Sequence, residues 1–336
     1  LGHYASACDD GKEVCNVIAA VTGAAGHLGG NLVRALLARG HSVRALVRGD
    51  ARALDGLDVV TVRGDVRDPG AVDALLDGAE AVFHLAAKVS IDPRDDAEVL
   101  ALNVQGTRLV AERCVVRTVR LVHFSSIHAL TSHDGPIDEG RPLAEASAFA
   151  YDRSKAAAER RILDGMARGL DAVIVNPTAV IGPFDFKPSH TGQMLRQLAG
   201  RKLPALVRGG FDWVDARDVA AGAIAAAEKG RSGERYLLSG HWCRVRDLAN
   251  LVCEAAGVRP PRFDVPVAVA MLGVPLAAVH ARLTGARPMY TRAALEAVRH
   301  HRDVRHDKAR HELGYEPRPL EDTVRDTCAW LREAEN

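Results

Sequence analysis

The stretch "NVIAAVTGAAGHLGGNLVRALLARG", residues 16–40, decides the fold. Its first eight residues form a continuous apolar run ending in glycine, the pattern of a buried parallel strand. From Leu28 onward the apolar residues recur at helical spacing as far as Gly40, which can end the helix. Between the two, Gly23, Gly26 and Gly29 make a GxxGxxG turn. Glycine suits that place because the backbone must turn sharply and approach a pyrophosphate, while the helix N-terminus offers N–H groups and a positive dipole end. A Gly-rich turn without a ligand has the same letters. The position after a first strand and before an amphipathic helix is the context that gives the motif its meaning.

Outward from this unit the pattern repeats. Strand-like runs lie at 41–48, 59–65, 81–87, 120–126 and 171–177, with helical stretches near 69–78, 94–117 and 151–168. Such alternation predicts an α/β fold, a doubly wound parallel-sheet Rossmann domain, with ligands at the carboxyl ends of the strands. The alternation weakens after Pro177. Residues 218–230 read as a helix and 233–240 as a strand that returns to the sheet. The expected division is a tail at 1–15, a Rossmann domain at 16–182 and 213–240, and a smaller, mainly helical substrate lobe at 183–212 and 241–334.

Composition narrows the function. Lys+Arg 44 against Asp+Glu 43 leaves a net charge of +1, with no basic excess for a phosphate backbone, so nucleic acid is not the expected partner. The six cysteines make no CxxC pair and the histidines no HxxxH spacing, so no metal is expected, and scattered free thiols fit a reducing cytoplasm. Residues 1–15 contain no apolar run of signal-peptide length. The longest apolar patch, 265–279, is broken by Pro266, Gly273 and Pro275 and falls short of the ~20 residues that span a bilayer. Burial in a core is expected for it, ahead of a membrane-surface contact. The implied partner is a small molecule.

The strand ends carry the chemistry. An acidic residue at the end of the second strand would grip ribose hydroxyls. This chain has Arg48 there, with Arg44 nearby and Asp50 two residues on. A guanidinium fits phosphate oxygens, so the reading favours NADP(H) over NAD(H). Asp65 closes the third strand, where it can meet an adenine or simply make a turn. The small residues of "HLAA", 84–87, suit backbone lying along a dinucleotide. Ser125 and Ser126 end the fifth strand. In "AFAYDRSKAAAERR", 148–161, Tyr151 and Lys155 stand one helical turn apart.

Taken together, TGxxGxxG, a strand-end Ser, YxxxK and the Asn of "NVQGT" (103–107) resemble the extended short-chain dehydrogenases/reductases. The likeness extends to "VNPTAVIGP" (175–183), "DWVDARDVAAG" (212–222) and 308–331, and looks closest to the dihydroflavonol reductase-like and hopanoid-associated epimerase-like branch bordering the 3β-hydroxysteroid dehydrogenases. The resemblance implies that Tyr151 gives or takes a proton, that Lys155 assists it, that Ser126 binds the substrate oxygen and that Asn103 supports Lys155 through water. A phenol's pKa near ~10 is too high for an efficient base, and a nearby cation is expected to lower it. The resemblance also implies a dinucleotide held by Gly23, Ala25, Gly26, His27, Leu28, Gly29, Arg48, Asp65, Val66, Leu85, Ala86, Ala87, Ser125, Tyr151, Lys155, Pro177, Thr178 and Val180. Pocket candidates are Lys88, Ile127, His128, Phe184, Phe186, Lys187, His190, Phe211 and Trp213.

The expected activity is NADP(H)-dependent interconversion of a carbonyl and a secondary alcohol on a largely apolar or aromatic compound. A nucleotide-sugar epimerase or dehydratase with bound NAD is the alternative, and a non-catalytic dinucleotide sensor the third. Sugar-modifying relatives typically place an Arg on the substrate's diphosphate where this chain has Phe211, which disfavours nucleotide sugars. Family members are often homodimers through the helices that here lie near 94–117 and 151–168.

Overall fold

The computed structural model describes residues 17–90, 92–132, 135–284, 291–300 and 302–335. The expected tail at 1–15 lies outside the described residues. Strand β1 (Ile18–Thr22) runs into the glycine turn and helix α1 (His27–Ala38). Gly26 caps α1 in extended conformation with no side chain over the helix end. Then follow β2 (Ser42–Val47), β3 (Val60–Arg63), α2 (Pro69–Leu75) and β4 (Ala81–His84). Helix α2 starts where the sequence signals a start, with proline in its first turn and Asp68 accepting from the Gly70 N–H.

After β4, α3 (Asp96–Leu100) passes through a π-helical turn, Ala101–Gln105, into α4 (Gly106–Arg117). Strand β5 (Arg120–Phe124), α5 (Ala150–Met166) and β6 (Ala172–Pro177) complete the alternation. Helix α7 (Ala216–Lys229) leads to β10 (Arg235–Leu238), which returns beside β6. All seven strands are parallel, in the order β3-β2-β1-β4-β5-β6-β10. The order reverses between β1 and β4, the place where sheets of this kind bind ligands at the strand carboxyl ends. One face is sealed by Leu32 and Leu36 of α1 and by Val219 and Ile224 of α7. The other is sealed by Val72 of α2, Val110 of α4 and Ile162 of α5.

The remaining elements are β7 (Ala179–Ile181), α6 (His190–Ala199), β8 (Ala205–Val207), β9 (Gly210–Asp215), β11 (His241–Arg244), α8 (Val245–Ala255), β12 (Phe263–Val265), α9 (Val267–Thr284), α10 (Arg292–Ala297), α11 (Asp307–Leu313) and α12 (Leu320–Glu335). They make a smaller mixed region. Strands β7, β9 and β11 form a three-stranded sheet centred on β9, and β8 pairs with β12. Three differences from the sequence reading follow. Strand β9 runs straight across the expected boundary between 212 and 213. Ala309 and Leu313 of α11, with Tyr315, pack into the parallel-sheet core and not into the lobe. The 265–275 part of the apolar patch is not buried: every residue there is half-buried or exposed.

The chain leaves the large sheet twice, at Thr178 after β6 and at Gly240 after β10. Both exits are tied to one carboxylate: Asp212 Oδ1 of β9 accepts from Thr178 Oγ1 (2.6 Å) and from the Gly240 N–H (2.7 Å). Burial pushes the Asp212 carboxyl up to about 6, against the pull of those two donors.

Candidate functional site

The glycine turn is shaped by contact. Gly23 has φ +69, and a Cβ there would lie 2.8 Å from the Ala86 N, on the strand alongside. A Cβ on Gly29 would meet the Gly23 carbonyl oxygen at 2.2 Å. The turn therefore folds flat against the end of β4, and the uncapped start of α1 is left at the strand carboxyl ends. A cradle this tight, with small residues Ala86 and Ala87 opposite, fits a dinucleotide's pyrophosphate.

A buried hydrogen-bond chain starts here. Thr22 Oγ1 accepts from the Leu85 and Ala86 N–H groups (both 3.1 Å), so its own proton goes to His84 Nδ1 (2.8 Å). Burial holds His84 neutral, at about 3, and its remaining proton sits on Nε2, donated to Thr107 Oγ1 (3.0 Å). Thr107 donates to the Asn103 carbonyl (2.7 Å) in the π-helical turn. Asn103 Nδ2 reaches Ser154 Oγ (2.9 Å), which donates to the Tyr151 carbonyl (2.7 Å). His123, the partner of His84 across β4 and β5, stacks on it at 5.6 Å.

At the far end of that chain stands Tyr151, in the first turn of α5, with Ser126 as the group that pulls its phenol toward the ionised form. Ser126 Oγ also accepts from the His128 N–H (3.2 Å). The His128 ring meets the Tyr151 ring edge-on at 5.7 Å, and its Nδ1 pairs with Asp152 (3.1 Å). Burial pushes the phenol up to about 12, only partly offset by Ser126. Lys155 is not among the groups that shift the phenol in the free protein. Lys155, 6% exposed, is itself pushed down to about 8 by burial, with Glu159 pulling the other way. Its Nζ donates to the Phe124 carbonyl (2.9 Å) at the end of β5.

Behind Lys155 lies a group that the sequence reading missed. Glu159 is fully buried and accepts from Ser125 Oγ (2.6 Å), Asn176 Nδ2 (3.1 Å) and Arg235 Nε (2.6 Å). Asn176 Nδ2 also donates to the Ser126 carbonyl (3.0 Å). The signal was present: Glu159 continues the Tyr151–Lys155 face by one more turn. Nothing in the local sequence marks its partner Arg235, which arrives on β10 from 76 residues away.

Several expected roles move. Asn103 holds the Lys88 backbone (Oδ1 from N, 2.7 Å; Nδ2 to O, 3.1 Å) and Ser154. The Ser125 hydroxyl is spent on Glu159. Lys88 gives its ammonium to Asp95 (2.8 Å) and Glu98 (2.5 Å). Ile127 is 3% exposed and belongs to a core cluster. Trp213 is 1% exposed, with Nε1 on the Cys243 carbonyl (3.3 Å), and Phe211 packs beside it in the lobe core.

Phe184, at φ +66, turns the chain back over α1. The Pro183 carbonyl contacts His27 Nε2 (3.1 Å) and Asn31 Nδ2 (3.0 Å) there. Phe184 lies under the Arg34 guanidinium at 4.5 Å, and Phe186 meets Trp330. Lys187 donates to the Asp50 carbonyl (2.8 Å), beyond the end of β2. Phe184 and Phe186 thus flank the Arg34 guanidinium of α1, and Lys187 ties the same segment to the loop after β2. His190 opens α6.

At the cofactor's expected adenosine end, Arg48 is exposed, 3.5 Å from Asp65. Asp65 is bound in a turn by Arg67 (2.8 Å), which holds its carboxyl well below the usual range. Arg44 is spent on the carbonyls of Ala74 and Leu75 at the end of α2. Val66 is buried against the Gly106 backbone. Leu28 and Val180 pack against the core, and the Thr178 hydroxyl is taken by Asp212. Ala25 is half-buried on the turn, and Pro177 ends β6 in the interior.

Residues 19–239 match the model of the "NAD dependent epimerase/dehydratase family". The chain is 38% identical to sterol demethylase protein B of Methylococcus capsulatus over 93% of this chain and 98% of that one. It is 36% identical to a putative dihydroflavonol 4-reductase of Synechocystis over 74% of this chain and 75% of that one. The crystal structure of gox2253 superposes with a TM-score of 0.82 at 35% identity, covering 95% of this chain and 98% of that one. With the family match running from the first strand of the parallel sheet to its last, the chain belongs to the NAD dependent epimerase/dehydratase family, the extended short-chain dehydrogenases/reductases.

Proposed function

We propose that the protein is an NADP(H)-dependent oxidoreductase that interconverts a carbonyl and a secondary alcohol, with Tyr151 handling the proton. The observation that carries this reading is the Tyr151 phenol, kept protonated by burial against the pull of Ser126, at the same end of the sheet as the glycine turn. A protonated phenol beside a second hydroxyl is a donor pair for one carbonyl oxygen. Lys155, one turn along α5, sets the local charge. When bound, NAD(P) supplies or accepts a hydride at its nicotinamide ring. The glycine turn and the start of α1 would hold its pyrophosphate. Arg48 would meet a 2′-phosphate, with Lys187 on the same side. The substrate class rests on the relatives' names, since the aromatic residues of 184–213 pack elsewhere. Sterol- and dihydroflavonol-like ring compounds stand first.

The test is a screen of NADPH oxidation against ketones, flavonoids, steroids and nucleotide sugars. Tyr151→Phe should bind cofactor normally and lose ~10²–10⁴-fold in kcat. NADPH should bind ten- to a hundredfold tighter than NADH, roughly the ~1.5–3 kcal/mol of a charge-assisted contact, and Arg48→Ala should erase the difference. A purified protein that retains NAD and binds a UDP- or dTDP-sugar at micromolar concentration would turn the reading to an epimerase or dehydratase.

A further inference from the structure

The lobe carries an apolar helix whose first half is exposed or half-buried. Residues 267–275 of α9 are "VAVAMLGVP", without a charge, and none of them is buried. Leu272 is 78% exposed and Val269 55%, one turn apart on the same face. A Cβ on Gly273 would meet nothing within 4 Å. Just before the helix, on β12, the Phe263 ring is 69% exposed. An apolar stretch on a soluble surface marks a contact with something else.

The surroundings say what. Phe263 forms one wall of an open cleft of about 280 Å³ whose other lining includes Arg201, Arg259, Arg262 and Leu203. No acid lines the cleft. Among the described residues the three arginines have no ion-pair partner. The nearest carboxylate in sequence, Asp264, is neutralised by Arg246 (Nε–Oδ1 3.0 Å). A second copy of the chain fits poorly. A two-fold interface would set the same three cations against themselves.

We propose that this face docks on an anionic lipid surface, with Phe263, Val269 and Leu272 entering the headgroup–acyl boundary and Arg201, Arg259 and Arg262 meeting lipid phosphates. That is the physics of an interfacial helix, and it needs no span: no helix among the described residues is long and apolar enough to cross a membrane. Docking here leaves the parallel sheet and its strand carboxyl ends untouched, so the inference stands apart from the proposed reaction.

Sedimentation of the full chain with phosphatidylcholine vesicles, with and without phosphatidylglycerol, tests it. Binding should require the anionic lipid and weaken as sodium chloride rises. Arg259→Ala with Arg262→Ala should weaken partitioning roughly thirtyfold, and Leu272→Asp tenfold or more. Both variants should keep the cofactor affinity and thermal midpoint of the parent, because the changed residues are exposed. No vesicle binding, or binding that the variants leave unchanged, overturns the proposal. So does a dimer that Leu272→Asp dissociates, which would assign the face to a second copy. So too does release from vesicles by inorganic phosphate beyond that caused by sodium chloride of equal ionic strength, which would mark a phosphate site and not a surface.

Discussion

Two environments compete for the proton on Tyr151. Burial keeps it on the phenol, and Ser126 offers the only relief. Reduction of a carbonyl uses the phenol as an acid, and a group held at about 12 is ready as one at every physiological pH. The titration that matters lies at Lys155, whose amine is held down at about 8. A lysine with a lowered pKa loses its charge early as pH rises. The kcat/KM for reduction should therefore be level near neutrality and fall above about pH 8, in a profile taken with saturating cofactor. Lys155→Arg, charged throughout, should lack that limb. A profile level to pH 10 in the parent would remove Lys155 from the reaction. Tyr151 and Lys155 were legible because a helix fixes what i, i+4 means. The direction of the phenol's shift was not, because desolvation depends on neighbours the local sequence does not contain.

Helices and strands decide which substitutions the site can absorb. Gly29 sits in the first turn of α1 with the Gly23 carbonyl 2.2 Å from where a methyl would go. Gly29→Ala must push α1 off the turn, and cofactor affinity should fall at least tenfold, the scale of ~1–3 kcal/mol for overpacking. Gly273→Ala, in α9 with open space around it, should instead raise stability by up to ~1 kcal/mol. Cofactor titration and thermal melts of the two variants make the contrast. An unchanged cofactor affinity in Gly29→Ala would mean that the turn does not hold the dinucleotide. The glycine turn was readable because strand, turn and helix are contiguous. Trp213 was read as a pocket residue because the local sequence does not show that β9 is the middle strand of its sheet, covered by β7 and β11, which lie more than 25 residues away on either side in sequence.

At the scale of the whole molecule, the join between large sheet and lobe runs through Asp212. Its carboxyl is raised to about 6, so between about pH 4 and 6 the folded state holds a proton that the unfolded chain has released. Stability from this residue is therefore greatest in acid and is lost as pH rises through that window, on the order of 3 kcal/mol in all. Asp212→Asn keeps an oxygen for Thr178 and Gly240 without the charge. Its stability relative to the parent should rise from pH 4 to 6 and level off above. Denaturant unfolding across that range would detect it, and a constant difference would show that Asp212 titrates normally. The parallel sheet was legible because its strands alternate regularly with helices. The lobe was not, because its small sheets draw strands from four separate stretches.

The chain of hydrogen bonds from Thr22 through His84, Thr107, Asn103 and Ser154 to Tyr151 makes the nucleotide end and the acid end of the candidate site a single part. Arg48 and the loop after β2 stand outside it. The molecule thus divides into what an engineer can exchange and what must be inherited whole. If Arg48 meets the 2′-phosphate as proposed, exchanging 48–52 should rewrite cofactor preference and leave the proton chemistry as it is. A change at the ends of β1 or β4, although it touches no substrate, would arrive at Tyr151 as a loss of turnover.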